Sequence, residues 1–342
     1  MILVTGGTGL VGSHLLYDLT KSGKNVRVLK RKNSNTRILH KIFSYYTNTP
    51  EILIKQIEWV DADLLDIYSL LDAMDGVTEV YHCAAMVSFE PQHQNELKRV
   101  NIEGTANMLN AALEKGIRKF CHVSSIAAIG RAEHGKLTEE TSTWKYTPDT
   151  STYSLTKYEA EREVWRASEE GLNIVIVNPA LIIGGGNWTQ SSSNMFTKAF
   201  KGIKFYTSGI NGFVDVRDVS NLMVKLMNSE IKNERFIINS ENVGYKEVFD
   251  TMHENLYKKK PSIKATGFLN SFVWRVEKLR SIITGAPPLV TKEVVQTANR
   301  ISKFSNKKIL TLFPEYKFIP VEQSIKDTCT LFLKDLEINK AS

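Results

Sequence analysis

The sequence predicts an α/β fold: a doubly wound parallel sheet with a smaller C-terminal lobe. Three observations predict it. Short apolar runs alternate with helical patterns as far as residue 180, a glycine-rich turn joins the first run to the first helical pattern, and the alternation breaks down from Asn187 onward. Strands separated by helices at this rhythm are parallel, with right-handed crossovers.

The first element is the best defined. Ile2-Leu3-Val4 is a short strand, and Thr5-Gly6-Gly7-Thr8-Gly9-Leu10-Val11-Gly12 turns it into the helical pattern that follows. Gly6, Gly9 and Gly12 lie three apart, which permits a tight turn, close approach of backbone to a diphosphate, and close packing of helix on sheet. The N-H groups freed at the helix start, those of Leu10 and Val11, face the diphosphate charge. Dinucleotide binding is the expected role of this stretch.

Asn25 to Lys30 is the second strand. An acid at its end hydrogen-bonds the 2'-hydroxyl of NAD, whereas a base accommodates the 2'-phosphate of NADP. The end reads Lys30-Arg31-Lys32-Asn33-Ser34, three cations and no acid. Arg31 suits a bidentate clamp on phosphate. A basic turn with no ligand is the plain alternative; NADP is the preferred expectation, with NAD possible.

Asn35 to Lys55 is read as one helix and a loop, and Ile57 to Val60 as the third strand. Asp63 beyond it either meets the adenine edge or caps a helix beginning near Leu65. Val77 to Ala84 is a fourth strand ending in the small residues that a close-passing cofactor needs. Val100 to Ala112 reads as a helix, with Asn101 and Thr105 on one face. Phe120 to Ser124 is the fifth strand, Tyr153 to Ser168 a long helix, Leu172 to Asn178 a sixth strand stopped by Pro179, and Phe236 to Asn239 a seventh. The expected division is a dinucleotide-binding domain over 1–180, with returning segments near 213–240, and a substrate-binding lobe over most of 181–342. Phe268 to Gly285 is amphipathic and is read as a lid or packing helix in preference to a membrane-surface helix.

Bulk properties narrow the function. The 342-residue chain is 42% hydrophobic and 24% charged, ordinary for a soluble globular protein. Its net charge of +7 is spread in lysine-rich patches, which suits a solvated face better than a nucleic-acid site. Cys83, Cys121 and Cys329 have neither metal-ligand nor disulfide-framework spacing. No run reaches the length of a membrane span and the chain opens directly on a strand, so a cytoplasmic enzyme without metal is expected.

The chemistry is concentrated at Ser124-Ser125, Tyr153 and Lys157. Tyr153 and Lys157 stand four apart on one helix face. Tyrosine alone is a poor base near neutrality, and a neighbouring ammonium lowers its pKa. Lys157 also has the reach to hydrogen-bond a ribose, while a strand-end serine holds the substrate oxygen as Tyr153 exchanges its proton.

In order along the chain, TGGTGLVG (Thr5 to Gly12), DADLLD (Asp61 to Asp66), HCAA (His82 to Ala85), NIEGT (Asn101 to Thr105), HVSSIAAIG (His122 to Gly130), YSLTK (Tyr153 to Lys157), NPALIIG (Asn178 to Gly184) and FVDVRDV (Phe213 to Val219) resemble the extended short-chain dehydrogenase/reductases. This superfamily holds nucleotide-sugar epimerases and dehydratases, dihydroflavonol reductases and 3-beta-hydroxysteroid dehydrogenases. The resemblance covers nearly the whole chain and implies a Rossmann fold. It also implies Ser125, Tyr153 and Lys157 as catalytic residues, Gly6, Gly9 and Gly12 as the diphosphate turn, Asp63 and Leu64 as the adenine contact, and Ala84 on the dinucleotide path. Asn101 implies structural support, and Asn178 with Pro179 the nicotinamide end. A basic Lys30-Arg31, Asn178-Pro179 and Ser124-Ser125-Ile126 resemble the dihydroflavonol-reductase and steroid-dehydrogenase side. The absence of Thr-Asp-Glu after the serine motif argues against a 4,6-dehydratase. Gly184-Gly185-Gly186-Asn187-Trp188 departs from the common Gly-Pro form, so a rearranged substrate-side loop is expected.

The expectation is therefore an NADP-preferring oxidoreductase of a secondary alcohol or ketone. A nucleotide-sugar epimerase and a non-catalytic cofactor-binding protein are the rivals. A homodimer through the Tyr153 helix is common in such relatives, and the substrate is left open.

Overall fold

The computed structural model describes residues 1–88, 90–133, 135–265 and 298–341. The amphipathic stretch Phe268 to Gly285 lies outside the described residues. The strands are β1 (Ile2–Thr5), β2 (Val26–Lys30), β3 (Ile57–Asp61), β4 (Glu79–His82), β5 (Lys119–Val123) and β6 (Ile174–Pro179), then β7 (Leu181–Ile183), β8 (Phe205–Tyr206), β9 (Ile210–Asp215), β10 (Glu234–Ile238), β11 (Glu241–Gly244) and β12 (Ile263–Lys264). The helices are α1 (Leu10–Lys21), α2 (Ile38–Phe43), α3 (Pro50–Ile54), α4 (Ile67–Ala73), α5 (Gln94–Lys98) and α6 (Gly104–Glu114). They continue with α7 (Thr152–Glu169), α8 (Asn194–Lys201), α9 (Val216–Met227), α10 (Tyr245–Asn255), α11 (Lys307–Leu312) and α12 (Val321–Ala341).

Seven strands form one parallel sheet in the order β10-β6-β5-β4-β1-β2-β3. The winding reverses between β1 and β4, which opens a crevice at the carboxyl ends of those strands. The sheet is buried on both faces because its strands are apolar at nearly every position. Ile2 and Val4 of β1, Cys121 and Val123 of β5, and Val175 and Val177 of β6 pack into one layer. The alternate residues Leu3, Phe120, Ile174 and Ile176 pack into the other. A second, three-stranded sheet, β11-β9-β7, carries the small lobe. Its core joins Phe196 of α8, Phe213 of β9, Val248 and Met252 of α10, and Ile325 and Phe332 of α12.

Four local expectations are corrected. The single helix read in Asn35 to Lys55 is two, α2 and α3, the second started by Pro50 at its first turn. The helix read from Val100 begins instead as a π-helical turn, Arg99–Glu103, before continuing as α6. Its extra residue leaves the apolar spacing nearly unchanged, so periodicity does not reveal it. The cap of α4 is Asp66, whose carboxylate accepts from Tyr68 N at 3.1 Å. Asp63 instead closes a short turn onto Leu65 N at 2.9 Å. Pro179 does not stop the sixth strand before it but is its last paired residue, opposite Ile238. Among the described residues, no helix is long and apolar enough to cross a membrane.

Candidate active site

The glycine turn has the shape that the sequence requires. Gly6 sits at φ +69, and a Cβ there would lie 2.6 Å from Ala84 N. At Gly12 a Cβ would meet Gly6 O at 2.2 Å, so the first turn of α1 lies directly on the loop. Gly9 is the N-cap of α1 and contributes no side-chain cap, and no acid occupies the first turn. The N-H groups of Leu10, Val11 and Gly12 precede the first intrahelical bond, from Ser13 N to Gly9 O, and have no backbone partner within the helix. A cradle that Cβ atoms would fill, beneath an uncapped helix start, fits a dinucleotide diphosphate. Gly7, which the spacing argument passes over, is needed as well: its Cβ would sit 2.5 Å from Val28 Cγ1.

Beside this turn, a buried chain of hydrogen bonds fixes the end of β4. Thr105 Oγ1 donates to Asn101 O at 2.7 Å, so it must accept from His82 Nε2 at 3.1 Å. His82 Nδ1 then accepts from Thr5 Oγ1 at 2.8 Å, and Thr5 Oγ1 accepts from Ala84 N at 3.1 Å. This direction requires a neutral imidazole. Burial supplies it, pushing the His82 pKa down to about 3. Asn101, placed by the π-helical turn, accepts from Met86 N at 2.7 Å and donates to Met86 O at 3.0 Å. Ala84 and the strand-end loop are thus held from both sides, and Asn101 acts by holding backbone.

The predicted trio converges at the end of β5. Ser125 caps the 3₁₀ turn Ile126–Ala128, its Oγ accepting from Ala127 N at 3.1 Å. The Ser125 hydroxyl lies beside that of Tyr153. Burial raises the Tyr153 pKa, and the Ser125 hydroxyl opposes that rise. The expected pull from Lys157 is not among the causes of this shift. The Lys157 ammonium, 3% exposed, donates to Val123 O at 2.9 Å instead. Burial pushes its pKa down to about 8, with Cys83 and Glu161 acting in the opposite direction.

Glu161 is the residue that sequence reasoning missed. It stands four beyond Lys157, so Tyr153, Lys157 and Glu161 share one face of α7. It is 2% exposed. One carboxylate oxygen accepts from Ser124 Oγ at 2.6 Å and from Asn178 Nδ2 at 2.8 Å; the other accepts from Arg235 Nη1 at 2.7 Å. Asn178 Nδ2 also donates to Ser125 O at 3.0 Å. Ser124 is therefore a structural partner of Glu161, which leaves Ser125 to face Tyr153. The Asn178 Oδ1 is buried and has no partner among the described residues, an acceptor left at the end of β6 beside Pro179.

The model of the NAD dependent epimerase/dehydratase family matches residues 2–239. The chain belongs to that family. It is an enzyme of the extended short-chain dehydrogenase/reductase type. Sterol demethylase protein B of Methylococcus capsulatus is 30% identical over 254 residues, 74% of this chain and 73% of that one. A putative dihydroflavonol 4-reductase of Synechocystis is 29% identical over 319 residues, 90% of this chain and 88% of that one. The crystal structure of gox2253 superposes with a TM-score of 0.80 at 27% identity, covering 98% of each chain.

Two further parts of the site flank this centre. At the adenosine end, Lys30 is ion-paired with Asp61 on the neighbouring strand and is not a free cation. Arg31 is exposed, with its backbone N-H on Ser34 Oγ at 3.0 Å, and its guanidinium makes no side-chain hydrogen bond among the described residues. Leu64 packs against Gly104, and its carbonyl accepts from Asn107 Nδ2 at 2.9 Å. Asp63 stands exposed in its turn. At the other end, the triple-glycine loop is pinned onto α1. His14 Nε2 donates to Gly185 O at 2.8 Å and its Nδ1 accepts from Tyr46 OH at 2.5 Å, while Lys41 Nζ donates to Gly186 O at 3.1 Å. A Cβ at Gly185 would lie 2.8 Å from Tyr45 Cε2. The glycines thus answer the close approach of α1 and the Tyr45–Tyr46 segment, and Gly186 and Asn187 line the crevice opposite Thr8, Gly9 and Leu10.

Proposed function

We propose that this enzyme reduces a ketone to a secondary alcohol, reversibly, with NADPH preferred over NADH. The observation that carries the reading is the meeting of the Ser125 and Tyr153 hydroxyls at the end of β5, where the Lys157 ammonium is also held on Val123 O. When bound, the dinucleotide supplies the two-electron redox chemistry. Gly6, Gly9 and Gly12 with the N-H groups of Leu10 and Val11 hold its diphosphate, Asp63 and Leu64 flank its adenine, and Ala84, Asn178 and Pro179 line its path toward the nicotinamide. Ser125 orients the substrate oxygen by hydrogen bonding. Burial keeps Tyr153 a phenol in the free enzyme, so it is ready to donate its proton to that oxygen as the carbonyl is reduced. Lys157 holds the ribose and, by its charge, steadies the tyrosinate left behind. Arg31, with Lys32 beside it, supports the NADP preference. Lys30 contributes less because Asp61 neutralises it.

A relative named as a putative dihydroflavonol 4-reductase is a reductase by its name, which favours net reduction over the transient oxidation of an epimerase. Replacing Tyr153 by Phe tests the assignment: turnover of a reducible ketone falls by roughly a thousandfold or more while NADPH affinity changes little. Undiminished turnover in that variant would remove Tyr153 from the mechanism.

A further inference from the structure

One end of the small lobe gathers cations that the active site does not use. Lys201 ends α8 and Lys204 follows it, Lys258, Lys259 and Lys260 follow α10, and Lys264 ends β12. Hydrogen bonds bring these segments together: Ser262 N and Ile263 N donate to Lys204 O at 3.2 and 3.1 Å, and Ile203 N donates to His253 Nε2 at 3.3 Å. Glu254 pairs with Lys260 at 2.9 Å, and Lys258 lies over the Phe200 ring at 4.2 Å. Lys201, Lys204, Lys259 and Lys264 have no carboxylate partner among the described residues.

Large apolar side chains stand exposed within the same patch. Phe205 and Ile263 are directly paired in the parallel β8–β12 ladder, so they project from the same face, and they are 44% and 45% exposed. Tyr257 is 87% exposed and is held at φ 55, a left-handed state that costs an L side chain about 1 kcal/mol or more. A solvated lysine face keeps its large apolar groups inward and pairs its lysines with acids, whereas here Glu254 pairs only Lys260 of this group.

We propose that this end of the lobe docks on a bilayer surface rich in anionic lipid. Phe205, Tyr257 and Ile263 enter the headgroup boundary and the surrounding lysines contact the lipid charges. Aromatic and aliphatic side chains ringed by lysine match the two forces that hold a protein at such an interface, apolar burial and attraction to negative headgroups. A nucleic acid shares the charge requirement but gives Ile263 nothing to enter. The docking does not depend on the ketone-reductase reading, because none of these residues touches the crevice described above.

The test is sedimentation of the full-length protein with vesicles of phosphatidylcholine alone and of equimolar phosphatidylcholine and phosphatidylglycerol. The protein is expected to bind the mixed vesicles, to ignore the neutral ones, and to be released as salt screens the lysines. The Lys204→Glu/Lys259→Glu variant should lose binding by at least roughly fivefold per lysine. Phe205→Ser/Ile263→Ser should bind at low salt but come off at lower salt than the parent. Retained NADPH affinity in both variants shows that they are folded. Absence of binding to the mixed vesicles overturns the proposal, as does equal binding by parent and both variants. Preference for a single-stranded RNA over the vesicles, lost with the lysines and indifferent to Phe205 and Ile263, overturns it in favour of a polyanion site.

Discussion

Glu161 shows how far a single side chain reaches into this site. Its carboxylate carries three hydrogen bonds, from Ser124, Asn178 and Arg235, and its charge favours the ammonium of Lys157. If Lys157 acts as a cation, activity falls as pH rises through its pKa, about 8 in the free enzyme. Glu161→Gln removes a negative neighbour, lowers that pKa further, and should move the alkaline limb of kcat/KM to lower pH. A merely structural Glu161 would reduce the plateau rate and leave the limb in place. Arg31→Ala belongs to the same scale. It should weaken NADPH by roughly tenfold or more and NADH far less, as loss of one charged hydrogen-bonding partner predicts. Lys30→Ala should do less because Asp61 already pairs with Lys30. Equal losses for the two cofactors, measured by fluorescence titration, would contradict the ribose-phosphate argument. Tyr153, Lys157 and Ser125 were legible in the sequence because helical spacing and a strand end put them in reach of one another. The Thr5–His82–Thr105 chain was not, since its members come from three elements whose registers are set only when the sheet forms.

At the scale of elements, the sheet was the most readable feature. Continuous apolar runs bounded by turn residues marked all seven of its strands, and each boundary differs from the structure by only a few residues. The glycine turn was readable too, because sterics leave so little alternative there. Gly12→Ala tests this directly. The added Cβ would lie 2.2 Å from Gly6 O, so the loop must open even though alanine is the better helix former. NADPH affinity should fall by roughly tenfold or more while the protein stays folded, given that each tenfold is about 1.4 kcal/mol of a misplaced diphosphate cradle. Unchanged affinity would mean that the diphosphate does not lie on this turn. The π-helical turn at Arg99–Glu103 escaped detection, although it is what aims Asn101 at Met86. One inserted residue preserves which face is apolar and changes only where a polar side chain points.

The whole molecule depends on contacts that no local pattern encodes. Asp335 on α12 accepts from Tyr45 OH at 2.6 Å and Trp188 Nε1 at 2.7 Å, and pairs with Lys41 at 2.7 Å. One carboxylate oxygen thereby joins the C-terminal helix to α2 and to the loop that faces the glycine turn. Asp335→Ala should lower stability by about 2 kcal/mol, less than the loss for a fully buried pair because Lys41 reaches solvent, and a shift in the urea midpoint will read it. The small lobe was expected from the loss of alternation after Asn187, but its docking residues lie as much as 290 positions apart and were not foreseeable. The central claim concerns the assembled crevice: a nicotinamide-dependent reduction with Tyr153 as the acid. The most direct measurement follows nicotinamide absorbance as the purified enzyme is offered NADPH or NADH with a panel of apolar ketones, in parallel with Tyr153→Phe. The account predicts consumption of NADPH faster than NADH with at least one ketone, and a rate lower by roughly a thousandfold or more in the variant. Interconversion of sugar nucleotides without net cofactor consumption, or ketone reduction that survives the loss of the Tyr153 hydroxyl, would contradict it.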